Sequence, residues 1–178
     1  MSSHFERIHS EVRFQGRIIT VCEDRFRYED GEEADREIIG HLGAVGIVAH
    51  DGEHLYLVRQ PREAVGSPDL LEVPAGKLDE EGEGPLETAK RELAEEIGKA
   101  AGEWELLKSY WSSAGFSDEQ VHVFLATGLS DVEKPEVDEN ERIELVTWPL
   151  DDLDGAIDAC EDAKTLIGLY ALRRRLEA

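Results

Sequence analysis

The sequence has little cysteine and no long apolar segment, and each shortage excludes a class of protein. Its 178 residues include two cysteines, Cys22 and Cys160, which lie far apart and match no metal-binding spacing. We therefore expect two reduced thiols in a cytoplasmic protein. No apolar run approaches the roughly 20 residues that span a membrane, and the N-terminus lacks the apolar core of a signal peptide.

Basic residues are also scarce. Asp and Glu total 41 against 19 Lys and Arg, the formal net charge is −22, and only 6 of the basic residues are Lys. Such a surface repels nucleic acid and anionic membranes, so neither is expected as a partner. At about 1 M salt the Debye length falls to about 3 Å, which screens this self-repulsion. The composition favours a halophilic source, with an ordinary acidic protein as the alternative.

The rest of the composition is typical of one folded α/β domain, with 40% hydrophobic residues and no repeats. Helical patterns cover 85–98 and about 150–176, the second with a break near Glu161 and Asp162. β-branched and aromatic residues between turn signals predict strands at Glu11–Phe14, Ile18–Tyr28, Ala44–His50, Leu55–Arg59, Leu70–Val73, Trp104–Ser112, Val121–Ala126 and Ile143–Trp148. We expect a mixed sheet with two or three helices in a sandwich.

A glycine-rich turn beginning at Gly76 leads into a short acidic helix that ends at Gly98. Pro85 suits the first helical turn, where no N–H donor is needed, and glycine suits the residue that closes a helix. The apolar residues of this helix share one stripe, which we expect to face the core, and they are Leu86, Ala89, Leu93 and Ile97.

Three glutamates of this helix, Glu92, Glu95 and Glu96, share one side. At about 100° per residue, Glu92 and Glu96 lie about 40° apart beside the apolar stripe, whereas Glu95 points further outward. Shielded like charges are costly unless a cation lies among them. A divalent metal is the simplest candidate, because Mg²⁺ binds a few carboxylates together with waters and phosphate oxygens. The alternative is a solvated acidic surface.

The segment from Gly76 to Gly98 resembles the Nudix box, G-x5-E-x7-R-E-U-x-E-E-x-G-U, in which U is a bulky aliphatic residue. The loop before Glu83 has six residues rather than five, and Lys99 stands where the last aliphatic residue belongs. The longer loop costs little and leaves the helical carboxylates in place. The matching positions are Gly76, Glu83, Arg91, Glu92, Leu93, Glu95, Glu96 and Gly98.

This resemblance implies an α/β/α sandwich and a hydrolase that uses Mg²⁺ or Mn²⁺ to cleave a nucleoside diphosphate linked to another group. The implied metal ligands are the Ala75 carbonyl and the carboxylates of Glu92, Glu96 and Glu141. The last of these lies in an acidic run, 138–141, for which a simple solvated loop is the alternative.

The resemblance also implies catalytic and supporting roles. Glu139 resembles the base that deprotonates the attacking water. Arg91 would orient a neighbouring glutamate through a charge-assisted hydrogen bond, and Glu95 would assist the metal ligands. Gly76 and Glu83 would support the site, with Glu83 tying the loop to the helix.

Outside the box the chain looks like the ADP-ribose pyrophosphatase branch of that family, over Glu37–Ala49, Val58–Arg62, Leu71–Gly76 and Ala114–Leu125. The branch implies a strand region at 1–42 that joins two subunits into a homodimer and contributes to the site, followed by the Nudix domain at 43–178. The implied substrate-binding residues are Arg59, Arg62, Glu72 and Phe116. For the two arginines, a surface ion pair with Glu63 or Glu72 is the alternative.

The implied activity is hydrolysis of the pyrophosphate bond of ADP-ribose or a related nucleoside diphosphate sugar, giving AMP and a sugar phosphate. Ala114 stands where the branch usually has proline before Gly-Phe, which leaves the exact substrate open. Two alternatives remain: a broader nucleotide or dinucleotide pyrophosphatase, and a catalytically silent sensor that binds ADP-ribose. The intact glutamates of the box argue against the silent sensor.

Overall fold

The structure is a computed structural model that describes residues 4–134 and 142–177. The chain forms two compact units. The first comprises the chain up to Gly43 together with Trp111–Gln120, and the second comprises Ala44–Tyr110 together with the chain from Val121 onward. In the described residues, no helix is both long and apolar enough to cross a membrane.

The first unit is built on a three-stranded antiparallel sheet in the order β1–β2–β3. Its strands are β1 (Phe5–Gln15), β2 (Ile19–Tyr28) and β3 (Glu33–His41). Arginines and carboxylates face one another across neighbouring strands, for example Arg25 and Asp35 at 2.7 Å. Exposed cross-strand pairs of this kind add little to stability, because water screens both charges. Their main effect is to place cations among the acidic residues of this surface.

The second unit is a mixed sheet with three helices in the described residues. Its strands follow the order β10–β5–β4–β9–β8, with β6 beside β5, β7 beside β4, and β4 parallel to β9. Short 3₁₀ turns occur at Glu63–Val65 and Leu150–Asp152. The elements are β4 (Ala44–His50), β5 (His54–Arg62), β6 (Ser67–Glu72), β7 (Ala75–Lys77), α1 (Pro85–Ile97), β8 (Lys99–Trp111), β9 (Gln120–Asp131), β10 (Glu144–Pro149), α2 (Leu153–Ala159) and α3 (Ala163–Leu176).

Alternation along the central strands produces the layers of the sandwich. On β4, Val45 and Ile47 pack in the cluster that contains α1, whereas Val48 packs in the cluster that contains α2 and α3. Successive side chains of a strand point to opposite faces, so one buried strand serves both helical layers. Each fully buried aliphatic side chain contributes about 1.5–3 kcal/mol, and Val45 and Ile47 on one face and Val48 on the other are fully buried.

A glycine lets α3 lie close to the sheet. A Cβ placed on Gly168 would lie 2.6 Å from the Val48 side chain. Any larger residue at this position would therefore push the helix away from the sheet. The start of α3 is fixed by Asp162, whose carboxylate accepts a hydrogen bond from the Thr165 N–H at 2.9 Å. The N-terminal turn of α3 is thereby held against β4 and the end of β6.

The predicted fold class is confirmed, and most differences concern strand ends. The acidic helix begins at Pro85 as predicted, and the break in the C-terminal helical region falls between Ala159 and Ala163. The strand β3 and the three-residue strand β7 were not predicted separately. β7 is too short to carry a periodic pattern, and its pairing with β4 at Gly46↔Ala75 joins residues far apart in sequence. The predicted acidic loop at 138–141 lies outside the described residues.

Candidate active site

The acidic helix α1 is anchored at both ends and along its apolar stripe. Pro85 occupies its first turn, and Gly98 closes it in the left-handed conformation, with φ 65° and its N–H donating to the Ala94 carbonyl at 3.0 Å. Ala89 and Leu93 are fully buried against the sheet, and Ile97 is 7% exposed. The predicted stripe is confirmed, and its burial fixes the rotation of the helix and hence the direction of its glutamates.

Glu92 lies against the main chain of Gly76. A Cβ on Gly76 would lie 2.0 Å from the Glu92 carboxyl carbon, a distance at which no larger residue fits. The glycine is therefore required for close approach between the loop and the helix. This contact places the Glu92 carboxylate beside the strand β7.

Glu96 contacts the neighbouring residue of the same strand. It is 6% exposed, and its Oε2 accepts a hydrogen bond from the Ala75 N–H at 3.0 Å. Glu92 and Glu96 thus both contact the dipeptide Ala75–Gly76. The side chains of Glu92 and Glu95 are 14% and 31% exposed, so the predicted difference in shielding is confirmed.

Arg91 supplies the positive charge among the other carboxylates of the box. Its Nη1 donates to Glu92 Oε1 and to Glu95 Oε2, both at 2.8 Å, and its Nε donates to Glu83 Oε2 at 3.2 Å. Burial lowers the pKa of Arg91, but the three carboxylates outweigh burial and hold it above its ordinary value. The guanidinium therefore ties the loop at Glu83 to the helix.

This arrangement changes the argument for a metal. Three of the clustered carboxylates are already neutralised in part by one arginine, so their proximity alone does not require a metal ion. The case for a metal rests on Glu92 and Glu96, which meet at one dipeptide with hard oxygen donors of the kind Mg²⁺ prefers.

The donor set fits a divalent ion that keeps several waters. Within 4–134 and 142–177, no group of three or more Asp, Glu, His or Cys side chains is arranged to hold a metal. Two carboxylates and a carbonyl would leave positions for water and phosphate oxygens, as Mg²⁺ usually requires. Glu141, the fourth predicted ligand, and Glu139, the predicted base, lie outside the described residues.

Glu72 is the most buried carboxylate near the box. It is fully buried and accepts hydrogen bonds from Arg62, at 2.5 Å from Nε and 2.8 Å from Nη2, and from the ammonium of Lys164. Burial raises the pKa of Glu72, but the two cations outweigh burial and lower it. Of the two ion pairs that the sequence left open for Arg62, the one with Glu72 is observed, and the Arg62 side chain is 39% exposed.

Lys164 makes a contact with Glu72 that the sequence did not reveal. It is separated from Glu72 by 92 positions and belongs to the first turn of α3. A single lysine at a helix start carries no spacing signal, and only the packing of α3 on β4 brings it to Glu72. The sequence contains no local feature that predicts this contact.

Arg59 and Phe116, the other predicted substrate-binding residues, belong to different units. Arg59 extends from β5, is 36% exposed, and donates from Nη1 to the Asp69 carbonyl at 3.1 Å. In the first unit, Phe116 is 52% exposed on a loop fixed to β3, where its carbonyl accepts from the Ile39 N–H at 2.7 Å. Each side chain is therefore partly exposed to solvent on the surface of its own unit.

Lys99 departs from the box pattern, and its charged ammonium makes the contacts at the position where the pattern has an aliphatic residue. Its ammonium lies 5.0 Å from the centroid of the Tyr56 ring and donates to Asp131 at 2.6 Å. A cation over an aromatic face is favourable by about 0.5–1 kcal/mol at a partly exposed site. The position is therefore filled without disturbing α1.

Comparisons with known proteins show similarity over most of the chain. Residues 40–167 match the family described as NUDIX domain. The chain is 43% identical over 150 residues to the ADP-ribose pyrophosphatase of Mycobacterium tuberculosis, covering 83% of this chain and 72% of that protein. It is 38% identical over 170 residues to the ADP-ribose pyrophosphatase of Bacillus subtilis, covering 93% and 91%. The crystal structure of an ADP compounds hydrolase has a TM-score of 0.85 and 25% identity, covering 98% of this chain and 95% of that one.

Proposed function

The chain belongs to the Nudix hydrolase family, and from that premise we propose that it hydrolyses the pyrophosphate bond of ADP-ribose or a related nucleoside diphosphate sugar. The products would be AMP and a sugar phosphate. The observation that carries the proposal is the pair Glu92 and Glu96, both held against Ala75–Gly76. The names of the two pyrophosphatase relatives support the choice of substrate.

The proposed cofactor is Mg²⁺ or Mn²⁺, held by Glu92, Glu96, the Ala75 carbonyl and Glu141. When bound, the ion neutralises negative charge on the pyrophosphate and on the leaving phosphate. The chain itself fixes the direction of the carboxylates: Arg91 holds Glu92, and the Ala75 N–H holds Glu96. Such preorganised groups lower the cost of reorganisation during the reaction.

The remaining roles of the box follow from the contacts of Arg91. Because Arg91 bonds Glu83, Glu92 and Glu95 together, loss of Glu83 would remove the bond between the loop and the guanidinium that orients Glu92. Glu95 is held beside the proposed metal ligands, where it would assist them. Glu139 is proposed as the base that takes a proton from the attacking water.

Substrate recognition is proposed for Arg59, Arg62, Glu72 and Phe116. Arg59 presents a partly exposed guanidinium, which can bind a phosphate through two parallel hydrogen bonds. Phe116 presents an exposed ring that can stack on a base. Glu72 and Arg62 bond each other, so they would act on substrate mainly through the orientation of the arginine.

We further propose a cytoplasmic homodimer from a halophilic source, acting on a small molecule. The N-terminal strand region, 1–42, would form the dimer and contribute to the site, and 43–178 would be the catalytic domain. The charge of −22 supports the halophilic assignment and disfavours nucleic acid and membranes as partners. Sedimentation that detects only monomer would contradict the dimer.

A substrate panel tests the proposed activity. ADP-ribose, GDP-mannose, NADH, a diadenosine polyphosphate and dGTP would be incubated with Mg²⁺, and phosphate released after phosphatase coupling would be measured. Fastest turnover of ADP-ribose is expected. Preference for dinucleotides or triphosphates would favour the broader pyrophosphatase, and ADP-ribose binding without any turnover would favour the silent sensor.

Two variants test the assigned carboxylates. Glu96→Gln should lower turnover by about 100-fold or more while the protein stays folded, because the glutamine cannot supply an anionic ligand. Glu139→Gln should damage turnover more than metal binding. Normal turnover of the variant at 96 would refute its assignment as a ligand. Normal turnover after changing both 139 and 141 to glutamine would place the base elsewhere.

A further inference from the structure

We infer that Lys164 and Glu72 are positioning residues for the metal-binding segment, acting from the start of α3 on the strand that carries Ala75. The inference rests on the proposed function, because it concerns the same site. Neither side chain needs to touch the substrate or the ion. Their effect would pass along the main chain between Glu72 and Gly76.

The first turn of α3 makes hydrogen bonds to Glu72 and Val73. Lys164 donates to a Glu72 oxygen and lies 3.0 Å from the Asp162 carboxylate, which also accepts from the Thr165 hydroxyl at 2.7 Å. The Thr165 hydroxyl oxygen in turn accepts from the Val73 N–H at 2.9 Å. The first turn of α3 therefore holds one side chain and one main-chain group of the segment.

The residues after Val73 connect these hydrogen bonds to the carboxylates of α1. The next residue, Pro74, accepts through its carbonyl from the Ile47 N–H at 2.8 Å. The Ala75 N–H then donates to Glu96, and Gly76 contacts Glu92. Each residue of this segment thus contacts another element: α3 at Glu72 and Val73, β4 at Pro74, and α1 at Ala75 and Gly76. A shift at Glu72 would therefore be passed to both proposed ligands.

Burial gives the network its stiffness. Glu72 has a side chain only 1% exposed, and that of Lys164 is 16% exposed. A buried carboxylate that loses one of its cations must find another partner or move, because an uncompensated buried charge is strongly unfavourable. Without the Lys164 ammonium, Glu72 keeps only the cation of Arg62 on β5, so the carboxylate loses its bond to α3 and should shift toward that arginine.

The direction of the effect separates positioning from simple electrostatics. Removing a positive charge near a cation site would strengthen cation binding if only the field mattered. Displacement of Ala75 and Glu96 would weaken it instead. For residues that orient metal ligands, loss typically weakens binding or activity by about 10- to 100-fold.

The experiment is Mn²⁺ binding to the full chain without substrate, measured by the electron paramagnetic resonance signal of free Mn²⁺. Lys164→Met should weaken Mn²⁺ binding by about 10- to 100-fold, and Lys164→Arg, which keeps a charged donor, should largely restore it. Arg173→Met is the matched control, because it removes an equal charge and an ion pair, to Asp154 at 2.8 Å, from the same helix. Unchanged or tighter Mn²⁺ binding by folded Lys164→Met would overturn the inference.

A second pair of variants keeps the test decisive if Lys164→Met does not fold. Thr165→Val removes the hydroxyl that accepts from Val73, whereas Thr165→Ser keeps it. Weaker Mn²⁺ binding by the valine variant alone supports the inference, and equal binding by both overturns it. Turnover is measured separately: a wild-type chain that binds Mn²⁺ without cleaving ADP-ribose would refute the proposed function and leave the Mn²⁺ comparison valid.

Discussion

Replacing Gly76 by alanine tests whether the contact between the loop and α1 holds Glu92 in its working position. The added Cβ would lie 2.0 Å from both Cδ and Oε1 of Glu92 and 2.3 Å from its Cγ. Ordinary van der Waals contact begins at 3.4 Å, so the two groups must separate by 3.4 − 2.0 = 1.4 Å. Since the side chain is more flexible than the strand that carries Gly76, most of this movement should fall on the carboxylate.

The expected loss is larger in turnover than in stability. A misplacement of about 1 Å at a catalytic group can cost about 100-fold, which corresponds to about 2.7 kcal/mol of transition-state stabilisation. Overpacking costs about 1–3 kcal/mol in a well-packed core. A movable glutamate should place Gly76→Ala near the lower end of that range, and about 1 kcal/mol lowers the Tm of a chain of this length by about 2–4 °C.

The assay is steady-state hydrolysis of ADP-ribose at saturating Mg²⁺, together with a thermal melt of each protein. Gly102→Ala is the control, because its Cβ would meet only the Gly128 carbonyl oxygen at 3.6 Å. We expect kcat of Gly76→Ala to fall by about 100-fold and the control to match the wild type. Wild-type turnover by a folded Gly76→Ala protein would show that the approach to Glu92 does not position a catalytic group.

Three further predictions concern the guanidinium, the thiols and the surface charge. Arg91→Lys keeps the charge but cannot bond Glu83, Glu92 and Glu95 together, so turnover should fall by about 10-fold or more; unchanged kinetics would contradict this role. Burial raises the pKa of Cys160 to about 11, so a native Cys22→Ser protein should resist thiol reagents at about pH 8 and react only when unfolded; rapid reaction of the native protein would count against it. The Tm should rise between about 0.1 M and 3 M KCl as repulsion within the charge of −22 is screened, and a flat or falling Tm would refute the halophilic assignment.

The parts of the site that the sequence predicted depend on local spacing. Helix α1 was predicted from Pro85, its apolar stripe and Gly98, because capping and periodicity act within a few residues. The greater shielding of Glu92 than of Glu95 followed from the angle around the helix axis, and the exposures of 14% and 31% confirm it. Arg91 was expected to orient a glutamate by resemblance, and it bonds three carboxylates at once.

The parts that could not be predicted depend on contacts between distant segments. The strand β7 exists because Ala75 and Gly76 pair with β4, and three residues are too few to show a period of two. Lys164 reaches Glu72 only after α3 has packed on the sheet, across 92 positions of sequence. Long-range pairs of this kind produce no pattern in a single sequence, whereas the clustered glutamates of the box are visible in the sequence itself.

The clustering of like charges, which first suggested a metal, is resolved by the protein in two ways. Glu83, Glu92 and Glu95 share the guanidinium of Arg91, and Glu96 is held by the Ala75 N–H. The hydrogen bonds that Arg62 donates to Glu72 hold the pKa of Arg62 above its ordinary value, and the charge of Glu96 adds to this effect.

These contacts mean that the carboxylates are held in direction by the chain itself. A site whose ligands are ordered beforehand loses less conformational entropy when an ion binds than a site that must gather them. Two networks meet at Ala75–Gly76, one from Arg91 through Glu92 and one from Lys164 through Glu72. Among the residues that the structure describes, the two networks meet at this dipeptide, so breaking either one should loosen the proposed metal site.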